Sequence, residues 1–210
     1  MLRYAARAVP WARVGVAGVL VLVLMDVVRR WPWTMWPLEG IAIGLLAAGT
    51  AWCFDEPAAE VVDSAPRHLA WRTGIRASGV LLLLAAWAVA VLRARESLFG
   101  HPWAVALQGS ATVIAAAAYA TCRRAYGEPA PGRAVGLVVV PAATFWALIR
   151  PLADSLPIFP YADGSVGLGS WEASIGMWLT VAGIAILLLL AALADTRWWR
   201  LRPAVRRGRR

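Results

Sequence analysis

The chain has 210 residues, 60% of them hydrophobic and 16% charged, with a mean hydropathy of +0.63. That composition excludes an ordinary water-soluble globular domain, in which about 25% of residues are charged. The formal charge of +9 rests on 21 arginines and no lysine. Seven of these follow residue 196 and most others sit between apolar runs, so membrane orientation explains the charge without a nucleic-acid partner.

A hydrocarbon core of roughly 30 Å takes about 20 apolar residues in a helix, which satisfies its own backbone hydrogen bonds. Six runs meet this requirement, at about 12–28, 37–54, 74–92, 103–122, 133–149 and 172–194. The expected fold is therefore an all-α integral membrane protein, one domain over 1–210 with six transmembrane helices. Ahead of the first run, Arg3, Arg7 and Arg13 alternate with Leu2, Tyr4, Val9 and Trp11, a composition suited to a short interfacial helix that Pro10 separates from the first span. No small-residue cleavage pattern follows the first run, so a cleaved signal peptide is not expected.

Arginine counts set the orientation. With a cytoplasmic N-terminus, the inside segments hold Arg3, Arg7, Arg13, Arg67, Arg72, Arg76, Arg123, Arg124, Arg133 and the seven from Arg197 to Arg210. The outside segments hold Arg29, Arg30, Arg93, Arg95 and Arg150. Sixteen against five places both termini in the cytoplasm. Trp31, Trp33, Trp36, Trp52, Trp71, Trp103, Trp171, Trp198 and Trp199 fall near span ends, where an amphipathic ring belongs. The Arg-rich C-terminus is expected to meet anionic lipid. Cys53 and Cys122 each end an apolar run on the expected cytoplasmic side, where a structural disulfide is not expected.

Two connections stand out. The cytoplasmic one, within Cys53–Arg76, contains FDEPAAEVVDSAPR. Asp55 or Glu56 can cap a short helix with Pro57 at its first position, and Pro66 stops it. Glu56, Glu60 and Asp63 then share one face, and Ala58, Val61 and Val62 the other. A lipid-binding helix carries basic residues on its polar face, so three carboxylates point to a protein partner; the alternative is a solvated linker. Glu-Pro-Ala recurs at 128–130, which is read as chance. The outer connection, 150–171, is long and rich in proline and glycine; its LPIFPY segment is too short to span and is suited to capping the outer face.

Ionisable groups inside a membrane are costly and persist mainly for a use. Asp26 is the one such candidate. Arg29 and Arg30 at i+3 and i+4 account for it as a local ion pair, the alternative being contact with a substrate or a neighbouring subunit. Glu39 and Glu172 lie near helix starts, where a carboxylate complements the dipole. His68 and His101 lie in loops on opposite sides, which argues against haem or a metal between spans. No hydrolase elbow, zinc-protease motif or P-loop occurs, so no catalytic, cofactor or metal residues are assigned. Gly40 and Gly44 form a GxxxG that allows close helix approach, within the chain or between copies.

Six spans, cytoplasmic termini, an interfacial N-terminal helix, a helical loop after the second span and a long outer loop before the sixth resemble the membrane (permease) subunit of an ABC-2-type ABC exporter. FDEPAAEVVDSAPR also resembles a loop of small six-span proteins of GC-rich bacteria that accompany ABC ATPase subunits. The resemblance implies a multi-pass protein of the bacterial cytoplasmic membrane, not itself an enzyme, with ATP and Mg on a partner ABC ATPase. It implies ATPase docking by Glu56, Glu60, Val61, Val62 and Asp63 in the 55–73 loop, and an outer cap around Leu156, Phe159 and Tyr161. It further implies pairing as a homodimer or with another membrane subunit. The scarcity of embedded charge favours a hydrophobic or amphipathic substrate, such as a lipid-like molecule, drug or peptide. The alternative function is a non-transporting scaffold or immunity-type subunit that binds another membrane protein through GxxxG and the outer loop. An enzyme acting on lipid would need polar residues clustered at one depth and ranks last.

Overall fold

A computed structural model describes residues 8–56, 69–149, 158–160 and 171–194. Each of the six apolar runs is a helix: α1 (Trp11–Arg30), α2 (Met35–Trp52), α3 (Leu69–Ala94), α4 (Pro102–Ala125), α5 (Pro131–Ile149) and α6 (Trp171–Ala194). Five are long and apolar enough to cross a membrane; in α2 the apolar stretch, Pro37–Trp52, is shorter. No strand occurs among the described residues. Local chemistry marks the ends: Pro10 precedes α1, and Pro102 and Pro131 open α4 and α5, where a missing N–H leaves no intrahelical bond unmade. Gly127, with φ +85°, follows α4 in the left-handed conformation that costs glycine little.

The helices run alternately up and down. One end carries residues 53–56, the starts of α3 and α5 and the end of α4, and is called here the Asp55 end. The other, the Asp26 end, carries the junctions α1–α2 and α3–α4 and the start of α6. Helices α1, α2, α4 and α3 pack in that cyclic order into a four-helix ring, with α5 laid on α2 and α6 on α4. The core between them contains Val14, Val21, Met25, Leu46, Leu83, Trp87 and Val105, all almost fully buried.

Glycines set the close approaches. A Cβ at Gly40 would overlap Ala147, and one at Gly44 would stand 3.1 Å from the Val140 Cα, so the GxxxG is spent on seating α5 against α2. A Cβ at Gly109 would occupy the Trp87 indole, whose Nε1 donates to the Ala106 carbonyl at 3.2 Å. The outward faces of α5 and α6, including Leu137, Phe145, Leu187 and Leu190, are exposed and apolar, which suits contact with lipid.

One boundary differs from expectation. Helix α3 includes Leu69–Thr73, which belongs to the helix and not to a 55–73 loop. Arg72 and Arg76 are accordingly helical. Trp87 is core; among the described residues the exposed tryptophans are Trp31, Trp33 and Trp103 at the Asp26 end and Trp11 at the Asp55 end.

Candidate functional site

The densest polar cluster stands at the Asp55 end, where the chain leaves α2. The buried stripe of α3 runs through Arg76, Gly79, Leu83 and Trp87 at three- and four-residue spacing, which turns Arg76 inward. Its side chain is 4% exposed and its guanidinium grips the turn after α2: it donates to the Cys53 carbonyl at 3.0 Å and the Asp55 carbonyl at 2.6 Å, and pairs with Glu56 Oε2 at 2.6 Å. A planar fork of five donors suits three acceptors on one short segment.

Residues 55 and 56 carry the connection across to the α4–α5 turn. Asp55 Oδ1 accepts from the Gly132 N–H at 2.7 Å, capping the first turn of α5 from another part of the chain. The Glu56 N–H donates to the Pro129 carbonyl at 2.8 Å, which ties the end of the described α2 connection to the α4–α5 turn. Arg13 of α1 reaches the other Asp55 oxygen at 3.8 Å. On the far side of the turn, Arg124 donates to the Glu128 carbonyl at 2.9 Å, and Arg123 pairs with the Glu128 carboxylate. Burial pushes the Asp55 carboxyl above the ordinary carboxylate range; the Gly132 hydrogen bond and the charges of Arg13, Arg76 and Arg124 pull the other way and offset it only in part.

Of the expected docking residues, Glu56 is buried here and paired with Arg76. Glu60, Val61, Val62 and Asp63 lie outside the described residues, as does the interfacial helix over residues 1–7. Of the outer-cap residues, Leu156 and Tyr161 also lie outside them. Phe159 is described and buried in the core cluster.

The Phe159 segment is held by α6. Trp178 Nε1 donates to the Ile158 carbonyl at 2.9 Å, and Ser174 Oγ to the same carbonyl at 3.4 Å. Gln108 of α4, 1% exposed, donates from Nε2 to Ser174 Oγ at 3.3 Å, while its Oε1 has no partner among the described residues. Nearby, His101 stacks on Trp171 with ring centroids 4.4 Å apart.

At the Asp26 end, Arg29 Nε donates to Asp26 Oδ1 and Arg30 Nε to Oδ2, each at 3.0 Å, as the helical spacing predicts. Arg93 of α3 joins at 3.7 Å, which local spacing could not reveal. Glu172 is in the first turn of α6 and exposed, as expected. Glu39 differs from expectation: it lies a full turn inside α2 and is 0% exposed, so it is a carboxylate buried within the bundle and not an end-of-helix complement to the dipole.

No group of three His, Cys, Asp or Glu side chains suited to a metal occurs among the described residues. The Asp55 cluster holds backbone carbonyls and helix ends together with charge. Its chemistry is mechanical attachment of one turn to α1, α3, α4 and α5. Compared with protein-family models, curated protein sequences and solved structures, the chain matches none.

Proposed function

We propose that the chain is the transmembrane subunit of an ATP-driven ABC exporter for a hydrophobic or amphipathic substrate. It has six spans, with α2 crossing as the shortest, and cytoplasmic termini, so that the Asp55 end faces the cytoplasm. A separate ATPase engages the connection between α2 and α3. The observation that supports this reading is the anchoring of that connection. Arg76 clamps its first residues to α3, Asp55 caps α5, and Arg13 ties it to α1. A push on the connection is thereby delivered to several helices as one displacement, which an exporter requires of its coupling segment. In this scheme Glu56 is a root that transmits force, and Glu60, Val61, Val62 and Asp63 form the contact with the ATPase. The non-transporting scaffold reading rests on GxxxG and the outer loop; of these, Gly40 and Gly44 pack against α5.

The test is an affinity pull-down of the tagged chain from mild detergent, wild type against the Glu60→Arg, Asp63→Arg double variant. Recovery of an ATP-binding subunit with the wild type and its loss with the variant is the expected result. Recovery of other membrane proteins alone, unchanged by the variant, rejects the exporter reading.

A further inference from the structure

We propose that the cleft between α1 and α3 at the Asp26 end binds the headgroup of an anionic phospholipid of the surrounding bilayer. The cleft has a volume of about 450 Å³. Its lining holds Arg30 and Arg93 on the single carboxylate of Asp26, and Arg29, just outside the lining, pairs with the same carboxylate. Arg95 and Glu96, the next charges along the chain, face each other at 3.7 Å and cancel. Three guanidiniums against one carboxylate leave an excess of two positive charges. Each guanidinium carries five donors and a carboxylate about four acceptor sites, so most of the donors remain for another anion, and phosphate oxygens match their fork.

The geometry is fixed on both sides. Ser97 Oγ, just past α3, donates to the Arg29 carbonyl at 2.9 Å and locks the two helix ends together. Below the arginines the cleft wall is apolar, formed by Leu22, Val23, Val27 and Ala90, and it opens on the outer surface of the helices. Val23 is 53% exposed along it, and Trp31, 45% exposed, stands at the rim. A free phosphate has no use for that wall. A phospholipid uses both parts, headgroup on the arginines and acyl chain along α1, with the indole at the level of the glycerol. The site is at the opposite end of the bundle from the Arg-rich C-terminus and is independent of whether the chain transports.

The experiment is native mass spectrometry of the full chain in detergent, titrated with palmitoyl-oleoyl phosphatidylglycerol, the phosphatidylcholine of the same chains, and inorganic phosphate. The C-terminal arginines are present in every variant, so differences between variants read the cleft. Phosphatidylglycerol is expected to bind the wild type more tightly than phosphatidylcholine. Arg30→Gln with Arg93→Gln should weaken its first binding step about tenfold or more and leave phosphatidylcholine unchanged. Asp26→Asn, which adds to the positive excess, should bind phosphatidylglycerol at least as tightly as the wild type. Should the double variant fail to fold, Arg30→Gln alone is expected to weaken binding about threefold. Equal binding of the two lipids, binding unaffected by the arginine changes, or its loss in Asp26→Asn would overturn the proposal. Inorganic phosphate binding as tightly as the lipid would reassign the site to a free anion. Loss of a co-purifying membrane protein in the arginine variant, with lipid binding intact, would reassign it to a subunit contact.

Discussion

Arg76 and Glu56 form a 2.6 Å ion pair in which the two side chains are 4% and 11% exposed, at the point where α2 gives way to its connection. Two further acceptors, the carbonyls of residues 53 and 55, complete the guanidinium's partners. A buried pair of this kind contributes little beyond what apolar residues of the same shape would, but it makes each partner costly to lose.

Arg76→Leu is therefore expected to destabilise the protein by about 3–5 kcal/mol, because it strands the Glu56 carboxylate and two backbone carbonyls in a water-poor site. Glu56→Gln should cost about 1–2 kcal/mol, since its amide oxygen still accepts from Arg76. Glu56→Leu combined with Arg76→Leu should recover a large part of the loss. Thermal unfolding in detergent, run as a double-mutant cycle, gives the coupling. A cycle closing at zero would show that the pair is not coupled.

The neighbouring carboxylate carries a pH signature. Burial raises the Asp55 pKa above the ordinary value of 3.8. Between the ordinary and the raised value the folded state binds more protons than the unfolded state, so stability falls as pH rises through that window and is level above it. Asp55→Asn keeps an acceptor for the Gly132 N–H and removes the titration. At neutral pH it should match or exceed the wild type in stability, and subtracting its pH profile should leave a downward step in the wild type over the mildly acidic range. Asp55→Ala, which loses the cap on α5 together with the titration, should lie about 1 kcal/mol below Asp55→Asn at every pH. Chemical denaturation between pH 4 and pH 7.5 separates these outcomes.

Helix packing offers a sharper steric contrast. Gly109→Ala inserts a methyl where the Trp87 indole lies and is expected to destabilise by about 1–3 kcal/mol through overpacking. Gly176→Ala, on α6 where nothing lies within 4 Å, should be neutral or stabilise by up to about 1 kcal/mol from helix propensity. Melting temperatures of the two variants measured side by side should move in opposite directions, or only the first should fall.

These residues also show what was legible before the structure. Runs of apolar residues long enough for a bilayer located all six helices, because that signal is local and repeated. Asp26 with Arg29 and Arg30 was legible for the same reason, its partners being one helical turn away. Gly40 and Gly44 announced a close approach but not its target, since α5 lies about a hundred residues on. In the sequence, Arg76 stands only as an inner-side arginine at the start of the third run. Its partners lie more than twenty residues back, and only the 76, 79, 83, 87 stripe hinted that it turned inward. Glu39 was misplaced because a carboxylate near a helix start satisfies a dipole argument whether it faces water or core. The docking residues Glu60 to Asp63 remain an expectation of the sequence alone.

The polar relay from Gln108 through Ser174 to the Ile158 carbonyl gives the last prediction. Gln108 already has one amide oxygen without a partner among the described residues, and its amide nitrogen depends on Ser174. Ser174→Ala leaves that donor unsatisfied in a buried site and should cost about 1–2 kcal/mol. Gln108→Leu with Ser174→Ala removes both groups together and should lie within about 1 kcal/mol of the wild type, because the apolar pair strands nothing. The Phe159 segment has a second hold in Trp178, which donates to Ile158 independently of the relay. Trp178→Phe should therefore loosen the segment when Gln108→Leu with Ser174→Ala does not. Hydrogen exchange of the Ile158 and Phe159 amides measures this directly, and faster exchange in the Gln108, Ser174 double variant than in Trp178→Phe would assign the hold to the relay.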